Sequence, residues 1–286
     1  MTRWASVVGM NRRNAIVHQH NDSRSIHLVN DKIATKELLA EHGVAVVPTV
    51  AVLRDRLDLR QLRACELPDE WVAKPARGAG GCGIIVLVGR DGDGWLDTGG
   101  RHVSRREVGE HLAEVLSGQH SGRSADEAII EPRLSPAPEL TELGAIGLPD
   151  LRVLHVGEQD PLVMLRLPTE RSGGRANLHQ GGVGLAIDPR RGRVVRAVCG
   201  RHEILDHPDT GRRLVGERVP EIGRVVETAA AAVAITGLGF AGVDVVIDDR
   251  RRVMVLEVNA RPGLQIQQVC DTPLLSGRRR SSWARR

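Results

Sequence analysis

Three residues toward the C-terminal end have the types and spacing to hold a hard metal ion: Asp244, Glu257 and Asn259. They lie in GVDVVIDDRRRVMVLEVNARPG (242–263), which reads as two strands joined by a short polar turn. Strand side chains alternate with period two, so Val243, Val245 and Ile247 alternate with Asp244, Val246 and Asp248. The same rule puts Val253, Val255, Glu257 and Asn259 on one face of the second strand. A turn near Asp249–Arg251 then sets Asp244 almost opposite Glu257. Two carboxylates and an amide oxygen converge, which suits Mg²⁺ that keeps several waters and also holds phosphates. A solvated hairpin with its polar residues facing water would carry the same pattern.

A second stretch could hold an anion: WVAKPARGAGGCGIIVLVG (71–89). Trp71–Pro75 reads as a strand, Arg77–Gly83 as a glycine-rich turn and Ile84–Val88 as a second strand. Glycines let backbone N–H groups approach an anion closely, and Lys74 at the strand end can reach it. This is not the Gly-x4-Gly-Lys-Ser/Thr loop, because the lysine precedes the glycines and no helix follows. The only lysines are Lys32, Lys36 and Lys74. In a chain that otherwise writes arginine, a retained lysine points to a need for a compact point charge. His18, His20 and His27 do not have the spacing of a metal-ligand set. DGDG (91–94) opens like a calcium loop but lacks the later ligands, so it reads as a turn.

Several elements must position these residues. Asp31–His42 reads as a helix, capped by Asp31, with Ile33, Leu38 and Leu39 apolar and Gly43 ending it. VAVVP (44–48) reads as a strand and DLRQLRACEL (58–67) as a short helix. Ser104–Gly118 is a helix with a capping box of Ser104 and Glu107 and an apolar side of Val108, Leu112, Val115 and Leu116. AIIEPRL (128–134), PDLRVLHVG (149–157) and DPLVMLRLPT (160–169) read as strands. RSGGRANLHQGGVGLAID (171–188) is a polar, glycine-rich loop entering a strand. Pro220–Gly237 is a long helix leading into the hairpin. Strands and helices mix without a regular βαβ repeat, so the class is α+β with two lobes.

The 286 residues allow a large core. No apolar run is long enough to span a bilayer, and the N-terminal stretch lacks the apolar core and cleavage site of a signal peptide. The expected location is cytoplasmic. Cys65, Cys82, Cys199 and Cys270 are scattered without a CxxC pair, which fits free thiols. The net charge is +4, with Arg278–Arg280 and Arg285–Arg286 in a polar tail expected to be disordered. There is no tyrosine and Phe240 is the only phenylalanine, so stacking platforms for nucleic acid are lacking.

Taken in order, the chain carries DK opening a helix, K-P-x-x-G-x-G-G-x-G, an IIE connection, a D-x-R strand, R-x-N-L-H-x-G-G and GVD…EVNARPG. This set resembles the ATP-grasp superfamily, and within it the RimK-type glutamate ligases and α-L-glutamate ligase-related proteins. GMNRRN, ANLHQGG, HPDTG and EVNARPGLQIQ carry the finer likeness, over about 9 to 270. The resemblance implies an ATP-grasp fold, two α+β lobes with the nucleotide between them. It divides the chain into an N-terminal segment (1–30), an N-terminal lobe (31–130), a C-terminal lobe with the metal site (131–270) and a basic tail (271–286).

The resemblance also implies roles. Lys32 and Lys74 match the two nucleotide-binding lysines. Arg77–Gly83, with Gly78, Gly80, Gly81 and Gly83, would close over the phosphates. Glu131, Pro132, Arg133 and Leu134 would form the hinge beside adenine. Asp150 matches a ribose-side acid. Arg175, Ala176 and Asn177 match a segment reaching the phosphates, and Asp244, Glu257 and Asn259 match the metal triad. The implied cofactors are ATP and Mg²⁺, with Mn²⁺ a substitute. The implied reaction joins a carboxylate, through an acyl phosphate, to an amine of glutamate or another amino acid. Arg166 and Arg175 are the candidates for stabilising the acyl phosphate and the oxyanion. The acceptor would be an amino acid, a peptide or a protein; neither nucleic acid nor membrane insertion is expected. A kinase stopping at the phosphorylated product and a nucleotide-binding regulatory module are the alternatives, since a fold does not fix chemistry. The chain departs from the pattern in three places. Only about thirty residues precede Lys32, Pro132 removes a backbone donor beside the hinge acid, and Arg261 stands where a small residue is usual.

Overall fold

The computed structural model describes residues 8–62, 67–78, 80–122, 125–144, 146–272 and 274. Cys65 and the arginine-rich tail lie outside the described residues. The chain divides into two compact units, one of residues 1–30, 34–46 and 135–286, the other of residues 31–33 and 47–134. Among the described residues no helix is long and apolar enough to cross a membrane.

The larger unit begins with α1 (Met10–His20), α2 (Ser23–Val29) and most of α3 (Lys32–Glu41). The first two were not legible as helices. In α1 only Ile16 and Val17 are buried, too few to mark a period. Asn21 ties this region to the sheet. Its amide nitrogen donates to the Phe240 carbonyl at 2.8 Å, and its oxygen accepts from the Gly239 and Phe240 N–H groups at 2.9 Å each. The unit continues through α6 (Pro138–Glu142), β7 (Asp150–Val156), β8 (Leu162–Leu167), β9 (Val183–Asp188), β10 (Arg193–Cys199), β11 (His202–Ile204), α7 (Ile222–Thr236), β12 (Phe240–Ile247), β13 (Val253–Asn259) and α8 (Gln265–Cys270). The seven strands form one antiparallel sheet in the order β11-β10-β9-β8-β7-β12-β13. One face carries Leu151, Val153, Leu165, Leu185, Val243 and Val245, all fully buried. Each such side chain contributes about 1.5–3 kcal/mol relative to exposure. That leaves the opposite face available for polar residues.

The smaller unit holds β1 (Ala51–Leu53), α4 (Arg56–Leu62), β2 (Trp71–Pro75), β3 (Ile85–Asp91), β4 (Gly94–Asp97), β5 (His102–Val103), α5 (Arg105–Leu116) and β6 (Ala128–Pro132). Its sheet runs β1-β6-β2-β3-β4-β5, again antiparallel. Leu59, Trp71, Leu87, Val108, Leu112 and Val115 join its core. The capping box at Ser104 and Glu107 forms as the spacing predicts. The strand expected at 44–48 does not form. Val46 makes one isolated bridge to Val255, and the first strand starts at Ala51. Val44 and Val46 are apolar because they pack on the core of the larger unit. Pro48 cannot donate to a sheet ladder.

Candidate active site

The hairpin of β12 and β13 pairs Asp244 with Glu257 and Gly242 with Asn259, the register that the sequence predicts. The faces differ from expectation. A bulge lies where Asp244–Glu257 gives way to Val245–Val255, so Leu256 is unpaired. Val255 is thereby placed on the face of Val245, while Glu257 and Asn259 share the other face with Asp244. One extra residue inverts the parity that period-two reasoning assumes. The bulge lets the strand keep Val253 and Val255 in the core at 4% and 1% exposure and still present Glu257 half-buried.

Neighbouring strands bring more charge to this face. Asp244 lies beside Arg152 of β7, and Asp150 beside Arg166 of β8. Arg152 holds Asp244 with two bonds, Nε to Oδ1 at 2.5 Å and Nη2 to Oδ2 at 2.6 Å. Arg166 holds Asp150 the same way, at 2.5 and 2.7 Å, and its Nη2 also reaches Asp244 Oδ2 at 2.9 Å. Two carboxylates and two guanidiniums therefore form one buried network. Burial of these groups is costly unless every charge is paired, and here each is. Burial favours the protonated form of both acids. At Asp244 the charges of Arg152 and Arg166 overcome it, and the carboxyl stays below its ordinary range. At Asp150, burial together with the charge of Asp244 outweighs Arg166, and the pKa is pushed up to about 6. Burial opposes the Arg166 charge, but Asp150 and Asp244 raise its pKa.

Asp150 is thus a partner of Arg166. Both its oxygens are bonded and it is 6% exposed. Arg152, the arginine of the D-x-R strand, was given no role from sequence. Its signal was there: it stands two residues after Asp150, hence on the same strand face. Gly242 makes room for it, since a Cβ at Gly242 would lie 3.2 Å from Arg152 Cδ and 2.6 Å from Pro262 Cβ.

Asn259 carries a buried amide nitrogen with no hydrogen-bond partner. An unsatisfied buried polar group costs about 1–3 kcal/mol, so an amide left this way points to a ligand. Glu257 and Asn259 offer hard oxygen donors one row apart and fit Mg²⁺. Asp244 is oxygen-rich as well, but both its oxygens already accept from arginines.

Arg175 is exposed in the turn after β8, and its N–H donates to the Ser172 carbonyl at 3.3 Å. Ala176 leads to Asn177, whose side chain caps a single 3₁₀ turn by accepting from His179 N–H at 3.0 Å. Arg261 is exposed. Half-buried Arg13 on α1 has its pKa lowered, first by burial and then by the like charge of Arg261. Two guanidiniums in each other's field favour an anion.

The smaller unit holds the other predicted residues. Lys74 on β2 pairs with Glu131 on β6, Nζ to Oε2 at 2.8 Å, and is 7% exposed. Lys32, at the start of α3, donates to the carbonyls of Gly78 at 2.6 Å and Ala76 at 3.4 Å. It thereby clamps the entry to the glycine-rich segment. Gly80, Gly81 and Gly83 all have positive φ, which the turn requires and side chains resist. Arg77 is pinned by Asp31 and by Glu127 at 3.0 Å. Pro132 ends β6, Arg133 pairs with Glu70 at 2.5 Å, and Leu134 follows half-buried.

A family model and one solved structure support the fold. A family model described as sugar-transfer associated ATP-grasp matches residues 11–282. The D-alanine–D-alanine ligase from Bacillus anthracis is similar in structure, with a TM-score of 0.50 and 13% identity over 97% of this chain and 73% of that one. The ATP-grasp ligase PsnB, solved with a minimal precursor, has a TM-score of 0.46 and 15% identity over 88% of this chain and 58% of its own. For the D-alanine–D-alanine ligase from Coxiella burnetii the values are 0.47, 14%, 88% and 56%. The chain therefore spans less than two thirds of the last two. Among curated proteins no match is found.

Proposed function

The chain belongs to the sugar-transfer associated ATP-grasp family, and on that premise we propose that it is an ATP-dependent carboxylate–amine ligase. The observation that carries the proposal is the single sheet face holding Glu257 and Asn259 beside the Asp150–Arg152–Arg166–Asp244 network.

In this reading Lys32 and Lys74 neutralise the nucleotide phosphates, and the backbone of the glycine-rich segment donates to them. The hinge after Glu131 offers backbone groups to adenine. Glu257 and Asn259 would hold Mg²⁺, or Mn²⁺ in its place, and Asp244, whose Oδ1 accepts a single arginine bond, would join them. Held there, the metal would supply positive charge that offsets that of the phosphates. Arg166 and Arg175 stabilise the developing oxyanion. Arg13 and Arg261 hold the substrate carboxylate away from the reacting one.

The carboxylate oxygen attacks the γ-phosphorus, the bond to the β-phosphate oxygen breaks and ADP leaves. The amine nitrogen then attacks the acyl carbon and inorganic phosphate leaves. The finer likeness to RimK-type ligases supports glutamate or another amino acid as the amine. An ADP-release screen over amino acids, peptides, amino sugars and uronic acids, with product mass spectrometry, tests this. An amide with free phosphate is expected. A stable phosphorylated alcohol would mean a kinase, and no turnover with any pair would leave a nucleotide-binding module.

A further inference from the structure

Two histidines and a carboxylate on the smaller unit form a cluster that the ligase chemistry does not use. His111 and Glu114 stand one helical turn apart on α5, and His120 follows in the turn after it. One potential ligand atom from each lies within 4.8 Å of the others. The His111 and His120 rings are 5.5 Å apart between centroids. His120 Nε2 lies 3.5 Å from Glu114 Oε2, beyond a good hydrogen bond, and is buried without a hydrogen-bond partner. A buried imidazole nitrogen facing a carboxylate without bonding it is short of a cation.

We propose that His111, Glu114 and His120 form a binding site for a Zn²⁺-class transition ion that anchors the glycine-rich segment. Two imidazoles and one carboxylate are a donor set that zinc accepts, with a fourth position for water. Tetrahedral zinc with bonds of about 2.0–2.1 Å needs ligand atoms about 3.3 Å apart. The donor atoms lie within 4.8 Å of one another, so an ion would draw them together, with the Glu114 side chain, 49% exposed, moving most. The second ring contact is already made. His111 Nε2 lies 3.0 Å from the Gly83 carbonyl, which can only accept, so Nε2 carries the proton and Nδ1 keeps the lone pair that a metal requires. Metal-binding histidines are commonly oriented by such a bond to a carbonyl. Gly83 also touches the other histidine: a Cβ there would lie 2.7 Å from His120. Both rings thus press on the last glycine of the proposed phosphate segment, and an ion between them would hold its end. The coupling to phosphate binding rests on the proposed function; the metal site itself does not.

The test is titration of the whole protein, free of nucleotide, with Zn²⁺ alone and with Co²⁺ alone. One equivalent should bind, and Co²⁺ should give the intense visible absorption of a four-coordinate site. Millimolar Mg²⁺ should not displace it, which separates this site from one at Glu257. Glu114→Gln, on the exposed side of the helix, and His120→Ala should each weaken Zn²⁺ binding by on the order of 10–100-fold, and His18→Ala should not. Hydrogen exchange at residues 80–83 should slow when Zn²⁺ binds. Failure to bind one equivalent, or equal affinity in Glu114→Gln and the parent protein, would overturn the site. Binding without slower exchange at 80–83 would overturn the anchoring.

Discussion

At the scale of single residues, the proposed metal ligands make the sharpest prediction. Glu257→Ala removes a carboxylate ligand from a half-buried strand position while leaving the core faces of β13 untouched. ATP turnover should fall by on the order of a thousand-fold, because a bound metal supplies several kcal/mol of charge stabilisation. The far-ultraviolet spectrum and the unfolding midpoint should change little. Near-normal turnover in this variant would rule out the assignment. Lys74→Arg keeps the charge but replaces a compact ammonium by a planar fork at a position 7% exposed and bonded to Glu131. ATP affinity measured by calorimetry should drop at least tenfold. Lys36 has no motif role and would look like a silent control, yet it is 8% exposed on α3. Exposed Arg190 serves instead, and Arg190→Lys should leave affinity unchanged.

At the scale of elements, much of the site was legible because it rests on strand register. The polar turn after Ile247 and the alternation on either side were enough to pair Asp244 with Glu257. The bulge at Leu256 was not legible, because one unpaired residue leaves no compositional mark and shows only in the pairing. The arginine partners of Asp244 were hidden for a similar reason: Arg152 and Arg166 come from other strands, far away in sequence. Strands β10 and β11 and the helices α1, α2 and α8 escaped because they are short or bury few residues. The network itself predicts a pH dependence. Asp150 has a folded-state pKa of about 6, above its ordinary value near 3.8. The folded state then binds more protons than the unfolded state between those values. Stability contributed by this group is therefore greatest at low pH and declines as pH rises from about 4 to 6, by at most about 1.4 kcal/mol per unit. Asp244 is shifted the other way and loses its contribution only as pH falls below the ordinary carboxylate range. Denaturant unfolding of Asp150→Asn and the parent protein at several pH values isolates the Asp150 component as their difference. A difference that stays constant across this range would count against the network's charge state. Gly242→Ala tests its packing. The added methyl would meet Pro262 and Arg152, so a loss of about 1–3 kcal/mol is expected, as for other overpacked sites.

At the scale of the whole molecule, the proposed reaction must protect an intermediate that water destroys. An acyl phosphate forms only if a carboxylate, ATP and the charged groups act together, and it survives only if water is kept out. Arg77–Gly83 and Arg171–Gly184 are rich in glycine and polar residues, and most of their glycines have positive φ; the second holds only a single 3₁₀ turn before it enters β9. Substrate-induced closure of such loops sequesters reactive species in other enzymes. ADP formation should therefore be slow with ATP alone and rise clearly when carboxylate and amine are both present. Hydroxylamine offered in place of the amine should capture the intermediate as a hydroxamate, seen by its iron complex and by mass. Arg175→Ala should lower the hydroxamate yield without unfolding the chain, since Arg175 is exposed and anchored through its backbone. Amide product without any hydroxamate, under saturating hydroxylamine, would show that the carboxylate is never phosphorylated and that the activation runs through another species.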